Sequence, residues 1–140
     1  MNMVWPILIV ISANVFYNII AKSTPNAVQP FASLTVTYLT AAIVSFILFL
    51  LASEDKNITN EIQKANWTSV AFGLAIVALE FGYIYVYRVG WKISIGSLVA
   101  NISLACVLLV IGVIIFKEGI SARQIFGMVM CIGGLLLISK

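Results

Sequence analysis

The chain has 140 residues, 62% of them hydrophobic and only 9% charged. Soluble domains are about 25% charged and about half apolar, so too few polar residues are present to coat a surface facing water. The net charge of +3 is a small surplus with no basic run, which gives no electrostatic footprint for nucleic acid.

About 20 apolar residues cross the hydrocarbon core of a bilayer. Five runs of that length are predicted as transmembrane helices, at 3–21, 31–52, 67–87, 93–116 and 120–139. The expected fold is therefore an all-α integral membrane protein, a single domain over 1–140. Trp5 edges the first span and Pro6 falls in its first turn, where a missing N–H is tolerated. The N-terminus lacks the basic region of a signal peptide, so the first run is read as a retained helix. Pro30 opens the second span, Arg88 closes the third, and Lys140 ends the fifth. Trp67 and Trp91 stand, like Trp5, at boundaries where interfacial aromatics belong. The one sizeable connection, 53–66, carries Glu54, Asp55, Lys56, Glu61 and Lys64 and has room for one short surface helix.

Orientation follows the side with more Lys and Arg, which faces the cytoplasm. Here the side of the N-terminus holds Lys56, Lys64, Lys117 and Arg123, and the opposite side holds Lys22, Arg88, Lys92 and Lys140. The balance makes both insertions plausible and is read as dual topology; the alternatives are chance equality in a small count, or Lys22 lying within the span. An odd number of spans puts the termini on opposite sides. Two such units joined head to tail form an inverted repeat, the plan of many transporters with a midplane site.

Glu80 is the one acidic residue inside a predicted span. It lies roughly 4 Å from the middle of its helix at 1.5 Å rise per residue. A carboxyl there is costly and marks function by default, and it stays neutral until a cation approaches. The competing reading satisfies it on a neighbouring helix or on Arg88. Tyr83 and Tyr87 share its face, and aromatic rings beside a carboxyl suit organic cations; the alternative makes them interfacial anchors. Asn14, with Tyr17 and Asn18 on its face, and Asn101, with Ser94 and Ser97, are polar groups at a similar depth. Ser33, Thr37 and Thr40 form a further stripe. Such groups either hydrogen-bond across helices or line a cavity. The binding set read from the sequence is Glu80, Asn14, Asn101, Tyr17 and Tyr83. Cys106 and Cys131 are read as small core residues; together with the absence of His they exclude a zinc site. No nucleophile–base pair, metal cluster or phosphate loop is present, so neither an enzyme nor a cofactor is expected.

The C-terminal half carries a more specific pattern. After 94–105 and the apolar run to Phe116 come Phe116-Lys117-Glu118-Gly119-Ile120-Ser121, Gln124-Ile125-Phe126-Gly127 and Gly133-Gly134-Leu135-Leu136. This arrangement resembles a single five-helix EamA-type unit of the drug/metabolite transporter superfamily, over nearly the whole chain. The resemblance implies half of a ten-helix inverted-repeat transporter, and a structural role for Glu118. The four-helix small multidrug resistance proteins look like distant relatives. Their first helix carries a carboxylate in an Ala-Glu-Val setting; this chain reads Ser12-Ala13-Asn14-Val15, with Lys22 downstream. Asn14 replaces the carboxylate, so the resemblance does not supply their proton-exchange group. Gly127 and Gly134 reproduce the glycine spacing through which those proteins dimerise, which implies a dimer interface there.

The leading expectation is a small transporter, an exporter of metabolites or organic cations, working by alternating access as a homodimer, parallel or antiparallel. Its partners would be membrane lipids and a small-molecule substrate, and its location the bacterial plasma (inner) membrane. The alternatives are a non-transporting membrane subunit and a flippase subunit for a lipid-linked sugar.

Overall fold

The computed structural model describes residues 4–53 and 56–138. Glu54, Asp55 and Lys140, and the expected outermost residues of the first and last spans, lie outside them. Every described element is helical: α1 (Trp5–Ser23), α2 (Pro30–Ala52), α3 (Ile58–Lys64), α4 (Trp67–Arg88), α5 (Ile93–Ile114) and α6 (Ala122–Ile138).

Local chemistry sets these boundaries. Pro6 lies at the start of α1, where helices tolerate proline. Pro30 opens α2, and the Gln29 side chain caps it by accepting from the Ala32 amide at 2.7 Å. Asn66 does the same for α4, its Oδ1 accepting from the Thr68 amide at 2.9 Å and from the Thr68 hydroxyl. Between them, α3 occupies the long connection, with a 2.5 Å ion pair from Lys64 to Glu61 one turn back. α5 stops at Ile114, two residues before the expected end of the fourth span. There the chain turns back: Lys117 takes a left-handed φ of 54° and the Glu118 amide donates to the Gly112 carbonyl at 3.0 Å. The Glu118 carboxyl folds over Gly112, where a Cβ would meet its Oε2 at 2.7 Å. α6 begins at a capping box: Ser121 Oγ accepts from the Gln124 amide, and Gln124 Oε1 accepts from the Ser121 amide at 2.8 Å.

α1, α2, α4 and α5 are long and apolar enough to cross a membrane, and α6, at 17 residues, is a shorter apolar helix. Large apolar side chains on all five are mostly exposed, and the buried apolar core among the described residues is Leu34, Ile84 and Tyr87. Such a surface is untenable in water and is what hydrocarbon solvates. The chain is an integral membrane protein.

Two compact units make up the chain, Met1–Arg88 and Val89–Lys140. In the first, α4 packs against both α1 and α2; in the second, α5 packs against α6.

Candidate functional site

The helix α4 places Glu80 where its contacts with α1 and α2 meet. Two cavities of the first unit share this residue. One, of about 180 Å³, is lined by Tyr17, Ser33, Leu34, Thr37, Ile84 and Glu80 among others. The other, of about 580 Å³, lies between α2 and α4, with Thr37, Tyr38, Leu74, Val77 and Glu80 in its wall. Glu80 and Thr37 thus stand between two hollows. Glu80 is partly exposed, and among the described residues no ion pair reaches it.

Two phenol groups face this carboxyl. The hydroxyls of Tyr17 and Tyr38 lie within its electrostatic reach, yet both oxygens are buried without a hydrogen-bond partner among the described residues. Tyr38 lies near enough to Glu80 to interact with its carboxyl. Each phenol can both donate and accept, and a buried polar atom left unpaired costs about 1–3 kcal/mol. Unsatisfied hydroxyls around a carboxyl and a cavity offer their hydrogen bonds to a guest. Tyr17 meets Tyr83 edge to face, ring centroids 5.4 Å apart at 85°, so rings from α1 and α4 stand beside the acid.

The other polar groups are engaged locally. Asn14 is half-buried, and its Oδ1 and main-chain carbonyl both accept from the Asn18 side-chain amide, at 2.6 and 2.8 Å. It is Asn18, one turn on, that is buried at 4% exposure. Asn18 Oδ1 in turn accepts from the Tyr87 hydroxyl. Tyr87, also 4% exposed, ties α4 to α1. Asn101 belongs to the second unit, where its amide donates to the Ser97 carbonyl at 2.8 Å and the Ser97 hydroxyl at 3.2 Å. Thr37 and Thr40 donate to carbonyls of their own helix. Gly127 and Gly134, on α6, have open space where a Cβ would point. Arg88 does not pair with Glu80; its Nη2 donates to the Pro25 and Val28 carbonyls at 3.1 and 2.6 Å.

Within the first unit the structure therefore gathers Glu80, Tyr17 and Tyr83, with Asn14 bound to Asn18 nearby on α1. Tyr38 was not singled out from the sequence. Its signal was present: it adjoins Thr37, on a helix with no acid of its own, and a tyrosine in mid-span needs a polar neighbour.

No curated protein and no solved structure is significantly similar to the chain. The EamA-like transporter family matches residues 3–140. A match over that extent, on an apolar helical chain with spans of membrane length, decides the family: the protein belongs to the EamA-like transporter family, a family of membrane transporters.

Proposed function

We propose that the chain is one five-span EamA-type unit, with α6 as its short fifth span, that works as half of a ten-helix inverted-repeat assembly. Two copies pair as a homodimer, Gly127 and Gly134 of α6 letting the backbones approach. Alternating access then exports a metabolite or organic cation across the bacterial inner membrane. Glu80 takes the coupling proton or the positive charge of the substrate. Tyr17 and Tyr83 offer ring faces to a cation, and Asn14 shapes the α1 side of the pocket. Asn101 is proposed as a further substrate-binding residue, as a polar side chain within an apolar span.

The observation that carries this reading is Glu80 between two cavities, without an ion-pair partner among the described residues and faced by two unpartnered phenols. A carboxyl kept only for packing would be bonded to its neighbours. The test is flux in proteoliposomes with a panel of radiolabelled organic cations and metabolites and an imposed pH gradient. Glu80→Gln is expected to lower gradient-driven flux at least about tenfold, as loss of a charged contact does, with expression and unfolding unchanged. Flux equal to wild type removes Glu80 from the mechanism.

A further inference from the structure

The two hollows that share Glu80 differ in chemistry. The smaller carries Tyr17, Thr24, Ser33, Thr37 and Glu80 in its wall. The larger is apolar beyond Tyr38, Thr37 and Glu80, with Ala41, Val70, Gly73 and Val77 along it. Among the described residues, Glu80 is the one charged side chain that lines either hollow. Gly73, Val77 and Glu80 are spaced i, i+4 and i+7, on one face of α4. The apolar trough therefore runs roughly 10 Å along the helix from the carboxyl to Gly73, at 1.5 Å rise per residue. A Cβ at Gly73 would meet nothing within 4 Å. Val70 and Leu74 are 68% and 69% exposed, so this end of the trough opens on the surface that hydrocarbon solvates.

The smaller hollow presents hydrogen-bond acceptors. The hydroxyls of Thr24 and Thr37 spend their protons on the Ile20 and Ser33 carbonyls, both at 3.1 Å, which leaves their oxygen lone pairs. A carboxylate only accepts, and the Tyr17 hydroxyl, unpartnered among the described residues, accepts as well as donates. A primary ammonium brings three donors and no acceptor; a quaternary ammonium brings no donor at all. A site built to hydrogen-bond N–H groups rejects an analogue that lacks them, because its own polar atoms are left unpaired. One acid matches one positive charge. The trough beside it matches an apolar body, as the apolar walls of ligand sites do.

We infer that the ligand is an amphipathic primary amine. It is a monocation whose N–H donors meet Glu80 and the hydroxyls of the smaller hollow, and whose apolar body, on the order of 10 Å long, lies in the trough between α2 and α4. The inference rests on the proposed function, in which Glu80 takes the positive charge of the substrate, and narrows that substrate to one class. A lipid tail would fill the trough and leave the carboxyl unanswered; a small cation would answer the carboxyl and leave the trough empty.

The test is calorimetric titration of the full chain in uncharged detergent at neutral pH, with titrations into empty micelles subtracted. The probes are 4-phenylbutylamine, its N,N,N-trimethyl analogue, the neutral 4-phenylbutanol, and butylamine. Saturable binding of 4-phenylbutylamine is expected, with each of the other three at least about tenfold weaker. A trimethyl analogue that binds as tightly overturns the N–H requirement, and butylamine binding as tightly overturns the apolar body. No saturable binding by any probe overturns the inference and leaves the trough to a lipid tail or a second copy. Gly73→Leu, which fills open space without a clash, is expected to weaken 4-phenylbutylamine at least about tenfold more than butylamine; equal effects on both also overturn it. The flux measurement on Glu80→Gln fails separately. Flux that depends on Glu80 without this ranking of probes rejects the amine class alone, whereas the ranking with flux unaffected by Glu80→Gln rejects the transport role.

Discussion

Tyr38 separates two kinds of polar residue in the first unit. Its hydroxyl is buried beside Glu80 without a partner among the described residues, so deleting it removes no hydrogen bond from the fold. Removing an unpaired buried group relieves its desolvation cost. Tyr38→Phe should leave the unfolding free energy in detergent unchanged or raise it, by up to about 1–3 kcal/mol. On the proposed function it weakens apparent substrate affinity several-fold in the flux assay. Tyr87 is the opposite case. Its hydroxyl bonds a buried acceptor, Asn18 Oδ1, and Tyr87→Phe strands that acceptor. The expected loss is about 0.5–2 kcal/mol, in line with hydrogen bonds between membrane helices, read by denaturation in mixed micelles. The polarity of Asn14, Tyr17, Asn18 and Tyr87 was legible in the sequence. Which of them would be used internally was not, because that depends on the rotation of α1 against α4, and one helical turn decides it.

At the scale of elements, the ends of the helices are written locally. Pro6, Pro30, Asn66 and the Ser121–Gln124 capping box each act within four residues, so they can be read from short stretches of chain. Ser121→Ala should therefore cost about 1 kcal/mol and fray the first turn of α6, visible as faster amide exchange over 121–125. Harder to read was the end of α5. The run stays apolar to Phe116, yet the helix stops at Ile114 because Lys117 turns left-handed and Glu118 folds back on Gly112. Hydropathy carries no signal for such a turn. The Ser and Thr stripe on α2 shows a similar limit: its spacing was visible, but Thr37 and Thr40 bond to their own helix. Hydroxyls in helices often return to the carbonyl one turn back.

At the scale of the whole chain, the even division of Lys and Arg bears on orientation. Reporters active only in the cytoplasm or only in the periplasm, fused after Lys140, should give comparable signals if the chain inserts both ways. Signal from one side alone rejects dual topology, and adding two lysines to 53–66 should then leave that result unchanged or reverse it, as the side dictates. What the sequence by itself determined is the class of solvent: 62% hydrophobic composition in runs of membrane length commits the chain to lipid, and the order of its motifs commits it to its family. These properties sum over residues and need no neighbours in space. Only the tertiary structure decided which side chains meet across helices. It put Tyr38 of α2 opposite Glu80 of α4, gave Arg88 to the loop after α1, and set Lys22 over Tyr87. Contacts between segments more than 40 residues apart depend on how helices pack, and apolar periodicity in a chain exposed to lipid on many faces does not encode that angle.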